Sequence, residues 1–485
     1  MKIMLFLVLI TYSFYVNARS SLNPQDLSSL EGRQVLCQIL NKMHLNLGGD
    51  VWPGFDPIET PLVVKFRDGI FGFGDLSTKK QWQKKSVGSC DLYLAPEGFE
   101  APSAPIVPYF DVSGTKAFYF DITIVPKLSA WLLSAVIHER FHRFQWEHFS
   151  YIMKLLSAKF SAFTSPGAGA QALIENDSLT SYLKLGNETS LSDFVAVSLI
   201  RESSLSIDES ADWELGQQIA EGTATYVQLA AMRLIESDLS LNFEKTWREH
   251  LIDDLSQSQG TDGLIKWRHY AVGGIVFEFL NRKTGNMTWA TEIQNGQVLS
   301  VFRLLLPFIS NTEPWFILRG QTMLKSEAGF EALANAEQMV NDYLSAVKKT
   351  TSQIDLASFK VSIGSPGAKQ CSGGGVSQRM YYLPLGGTLA TGYSGGTKCG
   401  YGSFVLNFIN EPVLLLSAEG ITTFGSENLR IWIGGTEFSS STQGSSEFSG
   451  LKLESVTMNF QTTKSGTLTI IGNSVEIKFK DENGD

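Results

Sequence analysis

Two histidines and a glutamate between positions 138 and 142 have the types and spacing that suit zinc-dependent hydrolysis. His138 and His142 are four residues apart, so on an α-helix both imidazoles lie on one face. Two neutral imidazoles can bind one zinc ion and leave a position for water, whose pKa the metal lowers towards about 7. Glu139 reaches the same side and can take the water's proton. The pattern predicts a catalytic zinc site, with a solvated His/Glu patch on an amphipathic helix as the alternative.

Such a site needs a third protein ligand, and two residues compete for this role. His148 follows His138 by ten residues, the spacing of the metzincin pattern H-E-x-x-H-x-x-G-x-x-H. That pattern needs a glycine to break the helix, but Gln145 stands there. In an unbroken helix His148 would point about 80° away from His138 and lie roughly 15 Å along the axis, out of reach. The other candidate is Glu221, in the helical segment Ala220–Tyr226.

The segment that begins at Glu221 resembles the E-G-x-A-x-Y signature of gluzincins, the zinc peptidases whose third ligand is a glutamate on a second helix. Small residues at Gly222 and Ala224 would let that helix pack closely against the H-E-x-x-H helix. The resemblance implies zinc as the cofactor, with His138, His142 and Glu221 as its ligands. The alternative is an acidic surface residue on a helix rich in Ala and Gly.

A tyrosine further along the chain extends the resemblance. Tyr270–Gly273 looks like the Y-x-x-G of aminopeptidase-type gluzincins, whose tyrosine stabilises the tetrahedral oxyanion. This implies a catalytic role for Tyr270, with His269 as an alternative donor, although both could simply pack or cap a helix. Three features depart from the family, the first being the gap of 79 residues between His142 and Glu221, which is longer than in thermolysin-like enzymes. No G-x-M-E-N segment precedes the motif, so exopeptidase activity is unsupported, and Thr225 replaces the Asp that orients a ligand histidine in some gluzincins.

The elements that must position these residues change in character along the chain. Residues 20–114 indicate mixed α/β structure, and Ala117–Val125 favours a strand because it is rich in aromatic and β-branched residues. A helical pattern follows from Leu128 to Lys159 and carries the H-E-x-x-H motif. Further helices are predicted at Ala170–Leu185, Ser190–Ser204, Ala211–Ile235, Leu264–Leu280 and Gly329–Lys348. The expected fold class is α+β, and the resemblance implies a gluzincin-like domain in which a mixed sheet precedes the active-site helices.

The composition changes after about Ile354, where Gly, Ser and Thr separate short alternating runs. Runs such as Leu429–Ile433 and Ser474–Phe479 predict an all-β domain, and their spacing favours a sandwich-like arrangement over a barrel. We therefore divide the chain into a signal peptide at 1–18, a zinc metallopeptidase-like catalytic domain at 19–352 and a C-terminal β domain at 353–485.

The N-terminus predicts export. Lys2 precedes an apolar run, and Val16–Ala18 places small residues where a signal peptidase cleaves. The run is shorter than the ~20 residues of a membrane span, and no later stretch suits one, so we expect no transmembrane segment. A formal net charge of −10 without a Lys/Arg block disfavours nucleic acid as a partner. We expect a secreted, extracellular protein.

Four cysteines suit an oxidising compartment and fall two near each end of the chain. We predict disulfide bonds between Cys37 and Cys90 and between Cys371 and Cys399, one in each domain. Four cysteines allow three connectivities, and the sequence excludes neither of the other two. They are too widely scattered for a thiolate zinc site.

These observations predict a secreted zinc peptidase that acts on peptide or protein substrates. Glu139 would be the general base, the metal would polarise the scissile carbonyl, and Tyr270 or His269 would stabilise the oxyanion. The C-terminal domain could bind carbohydrate or a cell surface, or be a structural companion. Two alternatives are a binding or adhesion protein with an inactive metallopeptidase-like domain, and a zinc enzyme that cleaves a non-peptide amide or ester. Glu139 favours an enzyme, because a structural zinc site needs no base.

Overall fold

The computed structural model describes most of the chain between Leu30 and Phe479. It describes residues 30–45, 51–74, 76, 81–87, 90–102, 106–124, 130–156, 165–205, 210–235, 243–257, 264, 267–298, 300–357, 359–364, 371–376, 379–382, 387–399, 405–417, 422–426, 429–433, 436–438, 443–455, 458–471 and 473–479. The predicted signal peptide lies outside these ranges. The chain divides into two compact units, one of Ala18–Val340 and one that includes Asn341–Asp485. The predicted boundary at residue 352 falls inside a helix, Glu327–Leu356.

The first unit contains a mixed sheet of six described strands, which follows helix α1 (Leu30–Leu45) along the chain. The strands are β1 (Leu62–Phe66), β2 (Gly69–Phe73), β3 (Gln83–Val87), β4 (Cys90–Leu94), β5 (Ile106–Val112) and β6 (Thr115–Asp121). Their order is β3-β4-β2-β1-β6-β5, and β1 and β6 run parallel while the other neighbours are antiparallel. Strand β6 is buried from Ala117 to Asp121 and leads through a short 3₁₀ segment, Ile122–Ile124, towards the helices.

Helices make up most of the remaining described residues of the first unit, and the last of them continues past Val340 into the second unit. They are α1 (Leu30–Leu45), α2 (Ala130–His148), α3 (Ile152–Leu156), α4 (Pro166–Leu185), α5 (Glu188–Leu205), α6 (Ser210–Ile235), α7 (Phe243–Gln257), α8 (Trp267–Thr284), α9 (Thr288–Gln294), α10 (Glu313–Leu324) and α11 (Glu327–Leu356), with a 3₁₀ segment at Val301–Phe308. Local signals set the ends of α4, where the Ser165 Oγ accepts from the Ala168 N–H and Gly186 ends the helix with a φ of 68°. The expected α+β class is confirmed.

Aromatic rings anchor α2. The Phe141 ring meets the rings of Trp52 and Phe55 edge-on, at centroid distances of 5.2 Å and 5.0 Å. Phe144 packs against Phe55 from the next turn, at 5.5 Å. These rings are buried, and such pairs contribute about 0.5–1.5 kcal/mol beyond the area that they bury. One side of α2 is thereby fixed, and the adjacent side carries His138 and His142.

Helix α2 is unbroken through Gln145 but ends at His148, so the single helix predicted from Leu128 to Lys159 is interrupted, and helix resumes in α3 at Ile152. Neither Pro nor Gly stops α2. The next residue, Phe149, is 1% exposed and stacks on Trp52 at 5.8 Å, and the Tyr151 hydroxyl donates to the Ile293 carbonyl at 2.5 Å. These long-range contacts outweigh the local helical preference.

Helices α6 and α8 cross with their backbones in contact. A Cβ atom added to Gly222 would lie 2.5 Å from the Gly273 Cα, and one added to Gly273 would lie 2.6 Å from the Gln218 carbonyl oxygen. No larger residue fits at either position without separating the helices. We expected Gly222 to bring α6 close to α2. This expectation is wrong, because Gly222 contacts α8 instead.

The second unit contains one mixed sheet of eleven described strands. They are β7 (Phe359–Gly364), β8 (Cys371–Val376), β9 (Arg379–Tyr382), β10 (Gly387–Cys399), β11 (Val405–Ser417), β12 (Thr422–Ser426), β13 (Arg430–Ile433), β14 (Thr436–Phe438), β15 (Gly444–Glu454), β16 (Met458–Ile471) and β17 (Ser474–Phe479). The order is β14-β13-β15-β16-β17-β7-β12-β11-β10-β8, with β9 on β10 and a further pairing of β16 with β11.

This pairing differs from the expected sandwich-like arrangement of two sheets. The strands β16, β17, β7, β12 and β11 form a closed circuit, because β16 pairs with β17 near Leu468 and with β11 near Phe460. Strand β11 also changes partner along its length: Leu406–Phe408 pairs with β16, and Leu414–Leu416 pairs with β12. Alternating sequence patterns predict strands but cannot reveal that a long strand changes partner along its length.

The cysteines lie on elements that suit the predicted pairing. Cys37 is disulfide-bonded, and its helix α1 packs against β4, which begins at Cys90. Cys371 and Cys399 are directly opposite each other on β8 and β10. The two specific bonds stay predictions. None of the helices within the described ranges is long and apolar enough to cross a membrane.

Because α6 and α8 touch at Gly222 and Gly273, replacing either glycine by alanine should destabilise the protein, which is the opposite of the usual effect within a helix. Alanine normally stabilises a helix by about 0.5–1 kcal/mol relative to glycine, but G222A and G273A should each lower the free energy of unfolding by about 1–3 kcal/mol. The control is G167A, whose added Cβ would meet only the Ser165 Oγ, at 3.8 Å. Thermal unfolding of the three variants checks this, and stabilisation in all three would contradict the close crossing.

Candidate metal centre

The three residues predicted as metal ligands meet in the interior of the first unit. The Glu221 Oε2 lies 3.3 Å from the His138 Nε2 and 3.2 Å from the His142 Nε2. All three side chains are buried. Bonds of about 2.0–2.1 Å in a tetrahedral zinc site place neighbouring ligand atoms about 3.3 Å apart. The spacing of these donors and their chemistry, two nitrogens and one carboxylate oxygen, fit a divalent zinc ion.

Glu139 belongs to the same cluster. Potential ligand atoms of His138, Glu139 and His142 all lie within 4.8 Å of one another, and the Glu139 side chain is buried. Two carboxylates therefore face the imidazole pair, and Glu221 is the one whose oxygen contacts both rings.

Gln145 fixes the orientation of His142, a role that sequence reasoning missed. The Gln145 Nε2 donates to the Ala220 carbonyl oxygen at 2.8 Å and to the Thr223 Oγ1 at 2.6 Å. A carbonyl can only accept, so the amide oxygen must face His142, whose Nδ1 donates to it at 2.7 Å. The neutral ring therefore carries its proton on Nδ1 and presents a lone pair on Nε2. A Gln three residues after the second ligand lies on the same helical face, which is the signal that could have identified it.

The ring of His138 is held from two sides. Tyr270 stacks on it with parallel planes, at a centroid distance of 5.4 Å, so α8 brings the predicted catalytic tyrosine to the cluster. The Gln228 side chain lies near this ring and raises the pKa of His138, although the His138 Nδ1 has no hydrogen-bond partner among the described residues. Gln228 follows Glu221 by seven residues and so shares its face of α6. Sequence reasoning missed Gln228 as well, although that spacing is visible in the sequence.

The alternative residues lie elsewhere. His269 is buried, and its ring packs edge-on against Trp213 at a centroid distance of 5.6 Å. His148 is exposed and stacks on Phe144 at 4.2 Å, as expected for an unbroken helix. Thr225, which stands where some gluzincins have an Asp, lies against Gly274 of α8.

Burial and charge act in opposite directions on the cluster. Burial lowers the pKa of His138, and its hydrogen bond to the Glu221 carboxylate offsets this only in part. Burial also disfavours the charged form of His142, but the Glu221 carboxylate raises the pKa of His142 to about 9. Burial opposes ionisation of Glu221, yet both imidazoles hold its pKa well below the ordinary value. Glu221 is thus an anion at neutral pH, and a metal ion that binds there would displace a proton from His142.

Comparison with known proteins found no relative of this chain. The chain matches no protein-family model, and neither a curated protein nor a solved structure is significantly similar to it. What the site can do is therefore inferred from its own residues and their positions.

Replacing Glu221 and replacing His148, the two candidates for the third ligand, should have opposite effects on metal binding. E221A removes the oxygen that contacts both imidazoles, so bound zinc should fall from about one ion per chain to a small fraction. H148A removes an exposed ring, so zinc content should stay near that of the unchanged protein. Elemental analysis after dialysis against trace zinc measures both, and retention in E221A with loss in H148A would contradict the arrangement.

The hydrogen bond between Gln145 and His142 predicts that replacing Gln145 weakens the affinity for zinc. Q145L removes the acceptor that fixes the imidazole, and loss of such a partner typically weakens metal binding 10–100-fold. The matched control is Q321L, which alters an exposed Gln on α10. Competition with a chelator of known affinity measures the zinc dissociation constant, and equal constants for the two variants would show that Gln145 does not orient the ligand.

Proposed function

We propose that this protein is a secreted zinc-dependent peptidase whose ion is held by His138, His142 and Glu221. The observation that carries the proposal is the approach of one buried Glu221 oxygen to both imidazole Nε2 atoms. A buried carboxylate beside two imidazoles is costly unless cations neutralise it, and zinc would supply that charge. Manganese or iron would satisfy similar ligands, and metal analysis distinguishes them.

The chain's own residues supply the remaining parts of a hydrolytic site. Zinc bound there would activate a water molecule and polarise a substrate carbonyl. Glu139 accepts the proton from the attacking water and passes it to the leaving amine, as a buried carboxylate within the cluster can do. Tyr270, stacked on His138, is the candidate donor to the developing oxyanion. His269 is the weaker candidate for that role because it packs on Trp213.

Separate reasons favour a peptidase over the two alternatives, a zinc enzyme for another amide or ester and an inactive binding or adhesion protein. The gluzincin-like motifs around Glu221 and Tyr270 support a peptide substrate over another amide or an ester. Glu139 argues against a binding or adhesion protein with an inactive site, because a structural zinc site has no use for a buried base beside its ligands. Binding of carbohydrate or a cell surface by the second unit stays a prediction.

Replacing the proposed base separates chemistry from metal binding. E139Q keeps the size of the side chain but cannot accept a proton, so turnover of a peptide substrate should fall by at least ~10² while zinc content is retained. The control is E147Q, an exposed residue of the same helix. Screening the zinc-loaded protein against a peptide library supplies the substrate. Turnover in E139Q equal to that in E147Q would rule out Glu139 as the base.

A further inference from the structure

A pocket of about 100 Å³ lies beside α6 in the first unit. Its walls come from α4, α5, α6 and the segment around Ser300 and Phe302. Gln218 lines it and precedes Glu221 by three residues, so both side chains project from one face of α6. The rise of an α-helix separates the two residues by only about 4.5 Å along the axis. The pocket is therefore next to the proposed metal centre.

Part of the pocket's lining, formed by Glu175, Arg201 and Glu214, belongs to a buried charged cluster that is neutral overall. Arg201 and Arg268 are buried among Glu175 and Glu214, with Arg268 Nη1 2.8 Å from Glu214 Oε1 and Arg201 Nη1 3.5 Å from Glu175 Oε2. Arg201 also contacts Glu214, and Arg268 also contacts Glu175. Two cations face two anions, so this cluster leaves no net charge for a ligand.

Two other groups that line the pocket, the Asp212 carboxylate and the Ser300 hydroxyl, remain available to a ligand. Glu202 is neutralised by Arg303, whose Nε donates to it at 3.1 Å. Asp212, in the first turn of α6, is exposed and makes no ion pair or hydrogen bond among the described residues. The Ser300 side chain is 8% exposed, and its Oγ has no hydrogen-bond partner and caps no helix. A buried hydroxyl without a partner is rare in native proteins, and here it lines the pocket.

We infer that this pocket binds a lysine or arginine side chain of the peptide substrate, next to the cleaved bond; the inference rests on the proposed function. The lining acids, Glu175, Glu202, Asp212 and Glu214, outnumber Arg201, Arg268 and Arg303 by one, and the unmatched charge is that of Asp212. The cationic end of the substrate side chain pairs with Asp212 and donates to the Ser300 Oγ. Its aliphatic stem packs against Leu215 and Phe302, which also line the pocket.

Matched peptides test this preference. Peptides that carry Lys, Arg, norleucine or Glu at each position around the cleaved bond are compared by kcat/KM. Lys or Arg at one flanking position should exceed norleucine at least tenfold, the scale of one charge-assisted hydrogen bond, and Glu should be the poorest. In D212N the ratio of Lys to norleucine should fall close to one, and in S300A it should fall severalfold. The control is E337Q, an exposed residue of α11 that should keep the full ratio.

A binding measurement separates this inference from the proposed catalysis. N-acetyl-lysine amide and N-acetyl-norleucine amide are titrated into the full chain carrying E139Q, with and without D212N. Binding of the lysine compound that D212N abolishes supports the pocket even if no peptide is cleaved, which would count against the peptidase alone. Peptide cleavage without a basic preference, or equal binding of both amides, would overturn the pocket's assignment while leaving the peptidase intact.

Discussion

A buried carboxylate in contact with two imidazoles is the constraint on which the helical unit depends. Glu221 is 7% exposed, and removing an ionised carboxylate from water costs several kcal/mol unless cations and hydrogen bonds compensate. His138 and His142 supply that compensation from α2, either through a proton or through a shared metal ion. The arrangement requires that α2 and α6 keep their relative positions, because hydrogen bonds and metal–ligand bonds form only over a narrow range of distances.

Three kinds of contact hold α6 in that position. Gln145 joins α2 to α6 while it orients His142, so one side chain serves both the packing and the ligand. The backbone contact between Gly222 and Gly273 fixes α8 against α6 and brings Tyr270 over His138. The buried Arg201 and Arg268 link α5 and α8 to acids on α4 and α6. Rigid support of this kind is what a preorganised site needs.

Local patterns in the sequence predicted much of this structure, and the remainder depends on contacts between distant residues. Helix periodicity placed most helices, and the i, i+4 spacing put His138 and His142 on one face. Glu221 and Tyr270 were indicated by short motifs, and the structure brings both to the histidines. The partner of Gly222, the end of α2 at His148 and the closed circuit through β11 and β16 could not be read from the sequence, because each depends on residues far away along the chain.

Crystals grown with zinc provide the most direct test of metal binding at this site. Anomalous difference maps from data collected above and below the zinc absorption edge locate the ion without reference to activity. The arrangement predicts one peak at about 2.0–2.2 Å from the Nε2 atoms of His138 and His142 and from a carboxylate oxygen of Glu221. No peak at these three atoms in crystals that contain zinc, or a peak that includes His148 in place of Glu221, would contradict the proposed site.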